Sequence, residues 1–418
     1  MEPASIQSKL KELANLLMKE DLEKEYIEIA REIASEIDSD TVYVDKRKMK
    51  EEFLRLTFGY DIDKKISLSS LPIMVDGIFY LRDMVNVYSV KEIVKKYPQV
   101  LGYSIDKMNR KVKYLESLGV NNVGKVVENC PQVLGYSIDK MNRKVKYLES
   151  LGVNKNKIGK VVENFPQVLG YSIDKMKRNV EYLESLGVDN VGKVVEKYPS
   201  VLGSYSIDKM NENVEYLESL GVDNVGKVVE NCPQVLGYSI DKMNRKVKYL
   251  ESLGVNNVGK VVENCPQVLG LSIDKMNRKV KYLESLGVNN VGKVVEKYPS
   301  VLGYSIDNMN RKLSYYQIYF PTVEFIKNEP VHLLEKDPSL LGRSLYKKII
   351  PRLRYVSSKI GGDIKKYGLN ISSLMNCNDD KFILKLQKKG IAADIKEYNK
   401  LLGHYKQIDD LDIDRRDN

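Results

Sequence analysis

Apolar residues along this chain fall at helical spacing, and the same words recur with them. From Asn122 onward, Val123, Val126 and Val127 share a face by i, i+3, i+4 steps, which predicts a short helix capped by Asn122. Pro131 stops it, because the residue before a proline is driven out of the helical region. Pro131-Gln132-Val133-Leu134-Gly135 then predicts a tight corner with one 3₁₀ turn. Ser137 caps a second, longer helix, with Asp139 in the first turn where negative charge is favoured. Ile138, Met141, Val145 and Leu148 form its inward stripe. Gly152 ends it as a left-handed residue, and Val153 supplies the hydrophobic contact just beyond.

This unit of short helix, corner and long helix repeats. Its landmark proline stands at Pro98, Pro131, Pro166, Pro199, Pro233, Pro266 and Pro299, with spacings of 33, 35, 33, 34, 33 and 33, and a looser copy follows at Pro338. A degenerate earlier copy places Ile78 and Leu81 where Val112 and Leu115 stand later. A fixed period of this length predicts an all-α helical-repeat solenoid, with two helices and a 3₁₀ turn in each unit of about 33 residues. The expected organisation is an acidic helical region over 1–66, the array over 67–343, a C-terminal helical cap over 344–408 and an acidic tail over 409–418.

The outward half of the long helix changes the picture. Lys140, Arg143 and Tyr147 lie together there by i+3 and i+4 steps, with Lys144 and Lys146 beside them. The pattern recurs as Lys107/Arg110/Tyr114, Lys175/Arg178/Tyr182, Lys242/Arg245/Tyr249 and Lys275/Arg278/Tyr282. The seventh copy keeps Arg311 and Tyr315, and the fourth departs most, with Glu212 at the arginine position and Glu215 nearby. A regular ladder of cations fits a sugar-phosphate backbone, whose phosphates also repeat regularly. Solvated outer faces with lysine stems covering their neighbours are the bland alternative.

Charge distribution agrees with a polyanionic partner. The 418 residues carry a net +10, made of −5 over residues 1–90 (13 Lys/Arg against 18 Asp/Glu) and +15 over the rest. The acid-rich start resembles neither a secretory signal nor an organellar transit peptide, so a cytoplasmic address is expected. Four cysteines in so long a chain point to a reducing compartment. Residues 5–37 read as helix, with Leu10, Leu13, Leu17, Ile29, Ile33 and Ile37 at helical spacing. Their acidic face would keep this leader off nucleic acid or dock it on the basic array.

Catalytic and metal chemistry is not encoded in any recognisable form. His332 and His404 stand apart, without a paired cysteine or carboxylate motif. Cys130, Cys232 and Cys265 occupy the position held by Tyr97, Phe165, Tyr198 and Tyr298 in sister copies, so they read as packing groups rather than metal ligands. Gly119 with Gly124-Lys125 has the glycine spacing of a phosphate loop, but Val126 follows where a hydroxyl is needed, and a helix precedes it rather than a strand. No cofactor, metal, membrane or enzymatic activity is expected, and a monomer is.

The phrase Tyr-Pro-Gln-Val-Leu-Gly-Tyr-Ser, followed by Tyr-Leu-Glu-Ser-Leu-Gly-Val, resembles the repeat of the mitochondrial transcription termination factors, the mTERF family. That repeat has a proline, spaced leucines and a closing Leu-Gly, here Pro131, Leu134, Leu148 and Leu151-Gly152. The resemblance covers about residues 67 to 390, and Ser344-Leu345 with Ile350-Pro351-Arg352-Leu353-Arg354 is similar to the family's C-terminal end. It implies a superhelix that binds nucleic acid through basic residues, DNA ahead of RNA, in transcription termination or its regulation. It also implies a mitochondrion or chloroplast as the alternative address. Arg352 and Arg354 join the candidate contacts on this ground. An RNA-binding factor and a helical scaffold for protein partners are the rival readings.

The copies are unusually uniform: residues 122–154 and 224–256 are identical at every position. Modules that read one base each need different side chains, so uniform modules predict backbone contact, with selectivity at most through nucleic-acid shape.

Overall fold

The computed structural model describes residues 3–18, 24–39, 46–59, 70–319, 334–361, 364 and 366–409, which contain helices and turns and no strand. His332 and the acidic stretch after Asp409 lie outside the described residues. The molecule is an α-helical repeat protein made of two compact units, Met1–Ile207 and Asp208–Asn418.

The first unit begins with α1 (Pro3–Leu17), α2 (Lys24–Ser39) and α3 (Lys46–Phe58). The helical spacing over 5–37 is realised as two helices, α1 and α2. Lys9 Nζ meets Glu36 Oε2 at 2.6 Å, joining the first half of α1 to the end of α2. Folding back lets the two apolar stripes cover one another, so that Leu13, Ala30 and Ile37 are fully buried. A single extended helix would leave both stripes in water. α2 packs on α4 (Leu71–Phe79), where Arg31 pairs with Asp76 at 2.5 Å. The acidic leader thus covers the degenerate first copy.

The regular copies follow the anatomy expected of them. Short helices α5 (Val90–Lys96), α7 (Val123–Asn129), α9 (Ile158–Asn164) and α11 (Val191–Lys197) alternate with long helices α6 (Ile105–Ser117), α8 (Ile138–Ser150) and α10 (Ile173–Ser185). Asn122 accepts from Lys125 N at 2.8 Å, Ser137 accepts from Lys140 N at 3.2 Å, and a 3₁₀ turn spans Pro131–Gly135. Beyond α8, Gly152 sits at φ +87°, with Gly152 N bonded to Glu149 O and Val153 N to Leu148 O. These two bonds satisfy carbonyls that the helix end would leave unpaired. Met141, Val145 and Leu148 are buried.

Neighbouring copies meet through backbone. A Cβ on Gly192 would stand 2.5 Å from Leu151 O, and one on Gly124 2.5 Å from Asn86 O. The glycines that mimic a phosphate loop therefore have separate structural duties: Gly119 closes α6 at φ +83°, and Gly124 lets α7 lie against Val85 and Asn86. A glutamate at the end of α7, α9 and α11 reaches back to the preceding copy. Glu196 accepts from Asn154 N at 2.9 Å, and Glu163 from the backbone of Asn121 and Asn122. Each such bond satisfies an N–H just ahead of a helix start.

The second unit takes up at α12 (Ile207–Ser219) and repeats the scheme with α13 (Val225–Asn231), α14 (Ile240–Ser252), α15 (Val258–Asn264), α16 (Ile273–Ser285), α17 (Val291–Lys297) and α18 (Ile306–Tyr319). Its glutamate contacts recur, Glu263 accepting from Asp223 N at 2.6 Å and Asn224 N at 2.8 Å. The C-terminal cap comprises α19 (Ile350–Ile360), α20 (Ile371–Met375), α21 (Asp379–Gln387) and α22 (Ile395–Asp409). Among the described residues no helix is long and apolar enough to cross a membrane.

Candidate nucleic-acid interface

The long helix places its cations by register. In α8, Lys140 and Arg143 project from the exposed side, and Lys144 sits half-buried one residue further round. Together with Tyr136, Tyr171 and Ser172 they line a cleft of ≈ 500 Å³ between α8 and the start of α10. The N-terminal end of α10 faces this cleft, and the positive end of its dipole adds to the field. The same lysine and arginine positions recur on α6, α14 and α16, with Leu271 replacing one of the two tyrosines beside α14 and α16.

These cations lack acidic partners. Among the described residues no ion pair involves Lys107, Arg110, Lys140, Arg143, Lys242, Arg245, Lys275 or Arg278, and all eight are exposed. The inner lysine of each cluster records their closeness. Burial, then Lys140 and Arg143, hold Lys144 below the ordinary lysine range. Burial with Arg110 and Lys107 does so for Lys111, burial with Arg278 and Lys275 for Lys279, and burial with Lys242 for Lys246. Four long helices therefore hold like charges together against their mutual repulsion, an arrangement that an anion stabilises.

That inner position is not among the predicted contacts, and it serves the fold as well. Lys246 Nζ donates to Leu269 O at 2.5 Å and Lys312 Nζ to Leu341 O at 2.9 Å, each a carbonyl in the 3₁₀ turn of the next copy. Asn179 and Asn213 stand at the same position and donate to Val201 O and Val235 O, both at 2.9 Å. The exchange of lysine for asparagine was the available signal: the two share a donor, not a charge.

Among the remaining predicted contacts, Arg352 needs correction. Arg352 has none of its surface exposed: its guanidinium donates to Leu374 O, Cys377 O and Asp379 Oδ1 and lies 4.8 Å from the Phe382 ring centre. It holds the C-terminal cap together and cannot reach a ligand without unmaking it. Lys175 is half-buried, donating to Gly203 O at 2.5 Å while lying over the Tyr171 ring. Arg311 is also half-buried. Arg178 and Arg354 are exposed, Arg354 stacking on Tyr405 with 5.5 Å from its guanidinium carbon to the ring centre.

The outer tyrosines are half-buried. Tyr249 and Tyr282 donate to Asn277 and Asn310 of the following long helix, at 3.4 and 2.5 Å, and burial raises the phenols of Tyr114, Tyr147, Tyr249 and Tyr282. Their i+4 spacing from the arginine put them on the polar half, but neighbouring long helices pack near enough to enclose them.

The buried sulfurs behave as packing groups. Cys130 is buried, its thiol pushed up by desolvation, beside Gln132 at 3.5 Å. Among the described residues no group of three His, Cys, Asp or Glu is placed to hold a metal ion.

A family model described as mTERF matches residues 5–209, 144–253 and 175–383, three overlapping segments. Such overlap is what a repeat produces, since one register of the model fits several copies. No curated protein matches the chain.

Proposed function

The chain belongs to the mTERF family of nucleic-acid-binding helical-repeat proteins, and on that premise we propose that it binds double-stranded DNA through its cation clusters to regulate or terminate transcription. The observation that carries this reading is the gathering of Lys107/Arg110/Lys111, Lys140/Arg143/Lys144 and Lys275/Arg278/Lys279 without a carboxylate partner among the described residues. Phosphates supply the missing negative charge, and the near-identity of the modules favours backbone contact over base reading. The protein contributes position and electrostatics as a monomer and carries out no chemistry.

The test is binding of the full chain to duplex DNA, single strands and duplex RNA of one sequence, across a salt series. Duplex DNA should bind most tightly, and log K should fall with log salt with a slope of about −0.9 per neutralised phosphate, or about −5 for roughly six contacts. Preference for duplex RNA would move the target to structured RNA. Weak binding indifferent to salt would leave a protein scaffold.

A further inference from the structure

The cation clusters are not evenly spread along the array. The long helices of copies one and two, α6 and α8, each carry four Lys/Arg against two Asp/Glu, a net +2, and so do α14 and α16 of copies five and six. Between them in the chain, α10 carries three against three, a net of zero, and α12 one against four, a net −3. The side chains deepen this dip. Lys209, the last cation of α12, pairs with Glu212 at 2.9 Å, and Lys175 of α10 is spent on Gly203 O. At the inner position both helices carry Asn179 and Asn213, which donate into the corresponding turn, at its valine rather than its leucine carbonyl, with no charge.

We infer that the phosphate backbone is held at two separate sites, one in each compact unit, and that copies three and four, which come between them in the sequence, do not hold it and form an electrostatic gap. The first site consists of the clusters on α6 and α8, the second of those on α14 and α16. This rests on the nucleic-acid reading above and adds to it which modules grip. A net −3 on α12 repels a polyanion, so contact there costs free energy that α8 and α14 do not impose. The fold does not require the gap. Glu212 and Glu215 are exposed, and the inner asparagines still donate into the next 3₁₀ turn, as lysine does in sister copies.

Hydroxyl-radical footprinting of the full chain on an end-labelled, mixed-sequence DNA duplex tests this. Two protected stretches with an unprotected one between are expected. Arg110→Ala with Arg143→Ala should erase one stretch, and Arg245→Ala with Arg278→Ala the other. Glu212→Arg with Glu215→Lys should fill the gap and steepen the salt slope by about 1 to 2, at about 0.9 per added phosphate. A single unbroken stretch for the unaltered chain, or an unchanged slope and footprint in the Glu212/Glu215 variant, would overturn the inference while leaving nucleic-acid binding intact. The two-stretch pattern on duplex RNA alone would uphold the gap and remove the DNA assignment. Failure of every nucleic acid to bind would remove both.

Discussion

The second and fourth copies place the same backbone scheme beneath opposite surfaces. α8 and α12 are both 13-residue helices with a buried methionine, valine and leucine, Met141/Val145/Leu148 in one and Met210/Val214/Leu217 in the other. Asn213 donates to the following 3₁₀ turn as lysine does in sister copies. Outside, Arg143 and Lys146 of α8 become Glu212 and Glu215 of α12. What a copy must keep is what touches its neighbour's backbone, and what it may change is what faces water.

The strongest way to break the shared part is to add a single carbon. Gly192→Ala puts a Cβ 2.5 Å from Leu151 O, and urea unfolding should show a loss of about 1–3 kcal/mol. Next comes the inner donor. Asn213→Ala leaves the carbonyls of Val235 and Tyr238 without it and should cost about 1–3 kcal/mol, whereas Asn213→Lys should restore only part of that, since Lys246 and Lys312 donate to the leucine carbonyl of the turn instead.

The outward difference should show in binding rather than folding. Arg110→Ala with Arg143→Ala should leave the urea midpoint nearly unchanged, within about 0.5 kcal/mol per site, yet flatten the salt slope by about 2. The smallest effect is alkaline. Burial pushes the Tyr136 phenol from 10.0 up to about 12, so the folded chain keeps a proton that the unfolded chain sheds. The stability this confers is full below pH 10 and is lost as pH rises towards 12. Thermal melts across that range should show a smaller decline for Tyr136→Phe.

Much of this was readable from the amino acids. Asn122, Pro131, Ser137 and Gly152 mark helix starts and stops through local sterics and hydrogen bonds, which operate within four or five residues and so are written in order along the chain. Periodicity alone puts Lys140 and Arg143 on an outward helix face, and both are exposed. The leader was half legible: its helical stripes were plain, but its fold into two helices depends on α1 and α2 burying each other.

What only the tertiary structure decided concerns contacts between residues far apart in the chain. Arg352 has the composition of a phosphate ligand and is a buried brace, because Leu374, Cys377 and Asp379 converge on it from elements 22 to 27 residues away. Tyr249 and Tyr282 sit on a polar helix half and are half enclosed, because the next long helix arrives beside them. Glu163 and Glu196 look like surface charge and instead tie one copy to the previous one. Sequence determines which way a side chain points from its own helix, through a period fixed by backbone geometry. Whether it then meets water or another copy depends on packing distance, which no single module contains.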